Sequence, residues 1–179
     1  MRTLSSVLVV LFAILTVFGC RNKAERRPEQ AARPKQTTEQ LEQVNKVLAE
    51  KDQETIAQFL KRRNMSMEQT ATGLWYRIIE HNPGSKKVTL NKEVLYGYHT
   101  RLLDGTLCYS SDESGPRKVE MASAQIVPGV KEALLLLHEG DSAQFILPPH
   151  LAYGLVGDQK RVPARAILFY DIRVKQVTP

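Results

Sequence analysis

Few side chains in this chain of 179 residues could do chemistry: two cysteines, four histidines and six tyrosines. His81, His99, His138 and His150 show no ligand spacing with one another or with a cysteine, so no metal site is expected. Cys108 reads as a buried thiol that packs as a small hydrophobe. The tyrosines say more. Pro148-Pro149-His150-Leu151-Ala152-Tyr153-Gly154 follows a strand-like run, Ala143 to Leu147. Two prolines stop that strand, because neither donates a ladder hydrogen bond. The Ala152-Tyr153-Gly154 corner then offers a phenol beside a residue free to take φ > 0. Such a corner can hold a hydroxyl donor at the rim of an apolar cavity, or satisfy the backbone of its own loop. His150 beside it reads as a surface cap.

The elements that must position this corner are legible from periodicity. Leu41, Val44, Val47 and Leu48, then Ile56, Phe59 and Leu60, recur at helical spacing. They predict two short helices, or one helix bent near Lys51-Asp52, docked on the domain behind it, with a dimer seam through residues 38–64 as the alternative. From Gly73 the alternation is that of strands, putting Leu74, Tyr76 and Ile78 on one face. Asn82-Pro83-Gly84-Ser85 and Asp104-Gly105 are turn signals. Further strands are predicted over 93–103, 106–111, 118–121, 143–147 and 166–176. Val130, Leu134 and Leu137 mark a short helix after Pro128-Gly129. The sum is an α+β domain: a small antiparallel sheet of about five strands wrapped on one short helix. The loop 148–165 is longer than most connections and is expected to be functional.

The ends carry a different message. Arg2 precedes an apolar run, Val7 to Phe18, that is too short to span a bilayer and fits a secretory signal. Val17-Phe18-Gly19-Cys20 resembles the lipobox of bacterial lipoproteins, with Phe18 departing from the usual small residue; a plain signal peptide cut near Gly19 is the alternative. The expected organisation is a signal peptide over 1–19, a tether over 20–37 from a lipidated Cys20, a helical segment over 38–66, and a domain over 70–179. The net charge of +6 is concentrated near the anchor, with eleven Lys/Arg against seven Asp/Glu over 21–64 and thirteen against twelve beyond. No aromatic side chain is interleaved with the basic residues beside the anchor, so nucleic-acid binding is not expected.

Read in order, Tyr96-Gly97-Tyr98, Leu102-Leu103-Asp104-Gly105, Ser110-Ser111, Ile126-Val127-Pro128-Gly129, Glu139-Gly140-Asp141, Pro149 to Gly154, Val162-Pro163 and Phe169-Tyr170-Asp171-Ile172 resemble the FKBP family of peptidyl-prolyl cis–trans isomerases, over about residues 73–177. The Asp104 to Ser111 and Leu151 to Asp158 runs look like its lipid-anchored branch in Bacteroidetes-like bacteria, which includes the gliding-motility-associated isomerases. The resemblance implies a pocket between sheet and helix. Tyr98, Val127 and Tyr153 would be the catalytic positions, Val127 through its backbone N–H and Tyr153 through its phenol. Cys108, Tyr109, Ile126, Val130, Val162 and Tyr170 would line the rest. It also implies proline-containing polypeptide clients, weak binding of macrolide inhibitors and no cofactor. Arg21-Asn22 after Cys20 lacks the Asp that retains some lipoproteins at the inner membrane, so the outer membrane facing the periplasm is expected, and docking of the helical stripe on its own domain gives a monomer.

Four positions depart from the family pattern. Cys108-Tyr109 stands where most members have Phe-Asp, Arg117 where many have an aromatic, and Val130 where eukaryotic members have Trp. The lost carboxylate is the most serious, and Asp112 cannot take its place without a register shift. An isomerase is therefore the first reading, and a client-binding module that keeps the pocket without much turnover is the second.

Overall fold

The computed structural model describes residues 35–179, except Ala124. The signal segment 1–19, Cys20 and the tether as far as residue 34 lie outside the described residues.

Helix α1 runs without interruption over Lys35–Arg63, beginning ahead of the expected 38 and showing no break at Lys51-Asp52. Its last turn carries Lys61, Arg62 and Arg63, favourable charges beside the carbonyl end of a helix dipole. Seven strands follow: β1 Glu68–Gln69, β2 Trp75–Glu80, β3 Glu93–Leu102, β4 Leu107–Ser110, β5 Arg117–Glu120, β6 Ser142–Leu147 and β7 Leu168–Thr178. A single turn, α2 (Ser111–Ser114), separates β4 from β5, and α3 (Pro128–Leu135) precedes β6. The short β4 and β5 fall on the predicted runs 106–111 and 118–121, and the strand beyond the expected set is β1, whose two residues are too few for alternation to register.

All pairings are antiparallel, in the order β1-β2-β6-β7-β3-β4, with β5 also on β3. Strand β3 is the spine. One edge pairs with β7 from Glu93↔Thr178 to Leu102↔Leu168, while the other is shared between β5 and β4. Side chains of a strand alternate between faces, and both faces of this sheet are covered. On one lie Phe145, Leu147, Leu168, Tyr170, Ile172 and Val174, packed with Val130, Ala133 and Leu134 of α3. On the other lie Trp75, Ile146 and Phe169, covered by Ile56, Phe59 and Leu60 of α1. Each fully buried Leu, Ile or Phe contributes about 1.5–3 kcal/mol.

Only the C-terminal half of the α1 stripe docks on the domain. Leu41, Val44 and Val47 remain 52%, 53% and 57% exposed, although the sequence pattern assigned them to the same contact. Leu48 and Ala49, half-buried, face the long loop at Pro149, Gly154 and Leu155 across an open groove. Asp52 and Arg165 tie it to the long loop, with Nη2 of Arg165 2.9 Å and 3.1 Å from the two carboxylate oxygens. Among the described residues no helix is long and apolar enough to cross a membrane.

Candidate functional site

A cavity of about 220 Å³ opens between the sheet and the N-terminal end of α3. Tyr96, Tyr98 and Thr100 reach it at two-residue intervals from β3. Tyr170 joins them from β7, directly opposite Thr100 in register. Tyr109 comes from β4 and Arg117 from the start of β5, while Ile126, Val127 and Val130 form the wall at α3 and Tyr153 the wall at the loop corner. The volume lies just below the ~300–1,000 Å³ of drug-sized pockets. It suits a single ring and its flanks.

Each wall has a local cause. Val127 is the N-cap of α3 and Pro128 its first residue, where the missing N–H is no loss. The first amides of a helix lack intrahelical acceptors, so this wall presents donors. Gly129 lets the helix start approach closely: a Cβ there would lie 2.7 Å from the Leu151 carbonyl oxygen and from a Leu147 methyl. The opposite corner follows Pro149–Leu151, a 3₁₀ turn, and Gly154 takes φ +64, as the sequence expected. The Gly154 amide donates to the Pro149 carbonyl at 2.8 Å, and its carbonyl accepts from Arg165 at 3.0 Å, which fixes the base of Tyr153.

Beside the Thr100 hydroxyl and the Arg117 guanidinium, four of the cavity's phenols are held neutral. Burial pushes Tyr96 up to about 12. Burial raises Tyr153 too, opposed in part by a hydrogen bond from Tyr170, which is itself raised well above the ordinary phenol range by burial. Tyr109 is pushed up to about 12, mainly because its hydroxyl donates to the Asp158 carboxylate. Burial opposes ionisation of Asp158, yet Tyr109 and the amides of Val162 and Lys160, at 2.8 Å and 2.9 Å, hold it below the usual carboxylate range. The carboxylate absent at position 109 thus returns from the long loop. It stands one hydrogen bond behind the cavity wall, on the far side of the Tyr109 ring. Arg161 stacks over that ring at 5.5 Å and donates to the Cys108 carbonyl.

Of the expected residues, Tyr98, Tyr109, Ile126, Val127, Val130, Tyr153 and Tyr170 meet at the cavity. Cys108 and Val162 do not. Neighbours on a strand point opposite ways, so with Tyr109 facing the cavity the Cys108 sulfur turns to the Arg161 carbonyl, 3.5 Å away. Burial raises its thiol further from reactivity. Val162 is buried under the loop, where its amide and carbonyl bond Asp158. Tyr96, Thr100 and Arg117 were missed as lining residues. Alternation with Tyr98 along β3 was the signal for the first two. His150 is exposed and donates to the Thr72 carbonyl at 3.0 Å, a surface cap as expected.

Away from the cavity, His81, His138 and Asp141 gather within 4.8 Å, a grouping that spacing along the chain did not reveal.

Comparison with known proteins agrees with this geometry. Residues 84–175, just over half of the chain, match the family described as FKBP-type peptidyl-prolyl cis-trans isomerase. The chain is 35% identical over 108 residues to the probable FKBP-type peptidyl-prolyl cis-trans isomerase FkpA of Neisseria meningitidis serogroup B, covering 60% of this chain and 39% of that protein. A probable FKBP-type peptidyl-prolyl cis-trans isomerase of Haemophilus influenzae is 30% identical over 138 residues, covering 77% of this chain and 56% of its own. Bovine peptidyl-prolyl cis-trans isomerase FKBP11 is 30% identical over 92 residues, 51% of this chain and 45% of that protein. The chain therefore spans roughly two-fifths to a little over half of these relatives.

Proposed function

Since the chain belongs to the FKBP-type peptidyl-prolyl cis–trans isomerase family, we propose that it catalyses rotation about X–Pro bonds in exported polypeptides. The observation that carries this reading is the convergence of Tyr98, Val127 and Tyr153 on one small cavity with neutral phenols at its rim. Amide rotation faces a barrier of roughly 18–20 kcal/mol because it breaks conjugation. The twisted amide is less polar than the planar one, so a dry cup favours it, and each 1.36 kcal/mol of that preference is worth about tenfold in rate. The prolyl ring enters between Tyr98, Val130 and Tyr170. The N-terminal end of α3 and the Tyr153 hydroxyl supply donors to the client's carbonyls. No nucleophile, base or metal is required.

A second reading, a client-binding module with little turnover, is favoured by one observation: Tyr109 replaces a carboxylate at the rim, and Asp158 stands behind it. Refolding of a proline-limited substrate separates the two. Acceleration by wild type that falls in Tyr153→Phe supports the enzyme. No acceleration by wild type, with gain in Tyr109→Asp, supports the module.

The setting we propose is the cell envelope of a Bacteroidetes-like bacterium, with Cys20 lipidated at the outer membrane and the domain facing the periplasm as a monomer. The Val17 to Cys20 lipobox supports it. Fatty-acid labelling lost in Cys20→Ala tests the anchor, and size-exclusion chromatography in detergent tests the monomer.

A further inference from the structure

We infer that His81, His138 and Asp141 form a binding site for a divalent transition cation of the zinc type. His81 follows the end of β2, whereas His138 and Asp141 bound the turn between α3 and β6. Asp141 is fully buried, which is rare for a carboxylate unless it is paired. Two backbone amides fix its orientation: Asn82 donates to Oδ1 at 2.5 Å and His138 to Oδ2 at 2.7 Å. That leaves one lone-pair direction on Oδ2, and both imidazoles face it. His81 Nδ1 lies 3.2 Å and His138 Nδ1 3.5 Å from this oxygen.

The two contacts differ in kind. His81 Nδ1 is in hydrogen-bonding geometry. His138 Nδ1 is buried and makes no hydrogen bond. A buried ring nitrogen with no partner carries an unmet desolvation penalty, and a shared ion would remove it. The spacing fits. Nitrogen and oxygen ligands lie about 2.0–2.2 Å from zinc, so the edges of a tetrahedral site are roughly 3.3–3.5 Å. The rings meet edge to face with centroids 5.3 Å apart, so they do not stack across the space between. Two imidazoles and a carboxylate are a donor set that zinc accepts, and the two amides on Asp141 are the outer-shell support such ligands require.

Access is open on one side: the His81 side chain is 45% exposed, leaving the fourth position to water. The His81 proton, on Nδ1 when it donates to Asp141, moves to Nε2 and frees the Nδ1 lone pair. The ion would join segments far apart in sequence, binding β2 to the α3–β6 turn. None of the three residues lines the prolyl cavity, so its effect would be on stability, not on turnover.

Zinc titration of the purified full chain, by calorimetry and by competition with a chromophoric chelator, tests this. The exposed ligand is the clean variant, since Asp141 also holds the turn together. Wild type should bind one zinc ion whose affinity falls at least roughly 10–100-fold in His81→Ala and in His138→Gln. Saturating zinc should raise the melting temperature of wild type by roughly 5 °C or more and leave His81→Ala unmoved. Cobalt(II) in place of zinc should give the strong visible absorption of a tetrahedral site, again lost in His81→Ala. Equal zinc affinity and equal thermal shift in wild type and His81→Ala, or no binding at all, would overturn the assignment and leave the cluster as a hydrogen-bonded turn.

Discussion

Gly129 is the position where a single methyl group tests the whole arrangement of the cavity. It is the second residue of α3, between Pro128 and the cavity-lining Val130. A Cβ at 129 would stand 2.7 Å from the Leu151 carbonyl oxygen, where ordinary contacts begin at 3.4 Å. The shortfall is roughly 0.7 Å, and one of the obstacles is backbone, which cannot rotate away. Either α3 lifts off the sheet or the Pro149–Leu151 turn retreats. Both movements separate Val127 from Tyr153, the two walls that present donors to a client. Overpacking of this kind costs about 1–3 kcal/mol, which for a domain of this size lowers the melting temperature by roughly 4–15 °C. A displacement approaching 1 Å at reacting groups lowers the rate by about 100-fold. Gly129→Ala should therefore melt early and lose about 10- to 100-fold in proline-limited refolding at a temperature where it remains folded. Gly84→Ala is the control, because nothing lies within 4 Å of a Cβ there. If Gly129→Ala melts with wild type and keeps full activity, the close approach of α3 to the 3₁₀ turn does not set the geometry of the cavity.

Further outcomes follow from single contacts. Tyr153→Phe removes one donor and should slow peptide isomerisation about 3- to 10-fold, the worth of one net hydrogen bond, measured at a temperature where the variant is folded, because buried Tyr170 also loses its acceptor. Tyr109→Phe leaves Asp158 with its two backbone donors, so limited proteolysis should cut the 157–162 loop somewhat faster, and Asp158→Ala, which removes all three ties of the carboxylate, much faster. Isomerase rates should be flat from pH 6 to 9, because Tyr96 and Tyr109 are pushed up to about 12 and Tyr153 is raised as well. Acid is different. Burial works against ionised Asp141, but the amides of His138 and Asn82 and the His81 ring together hold its folded value below the ordinary 3.8. A depressed carboxylate contributes fully above its unfolded value and loses that contribution as pH falls through the folded one. Urea midpoints should therefore drop below about pH 4, and Asp141→Asn should lower the midpoint at pH 6 while shrinking the acid drop.

Much of this was legible because strand alternation and motif order are local. Tyr98, Val127, Tyr153 and Tyr170 could be assigned from the chain alone through the family resemblance, since the motifs that carry them are short and contiguous. The failures share a cause, which is that they depend on register between distant segments. Cys108 and Tyr109 are neighbours, and only the pairing of β4 with β3 decides which of them faces the cavity. Asp158 reaches Tyr109 across 49 residues. His81 reaches Asp141 across 60, so no interval in the sequence betrays the pair. The half-docked α1 is similar: Leu41 and Ile56 belong to one helical stripe, but only the second finds Ile146 and Phe169 beneath it.

The pairing of β3 with β7 bears on the protein's own birth. The spine strand is made early, yet its partner begins at Leu168 and carries Tyr170, the cavity wall opposite Thr100. Contacts between segments so far apart form late and slowly. During synthesis the emerging chain can assemble α1 and the β1–β2 ladder, but it has no prolyl-binding cup until residues past 170 are released from the ribosome. A nascent copy therefore cannot act on its neighbours, or on its own prolines, while it is still being threaded.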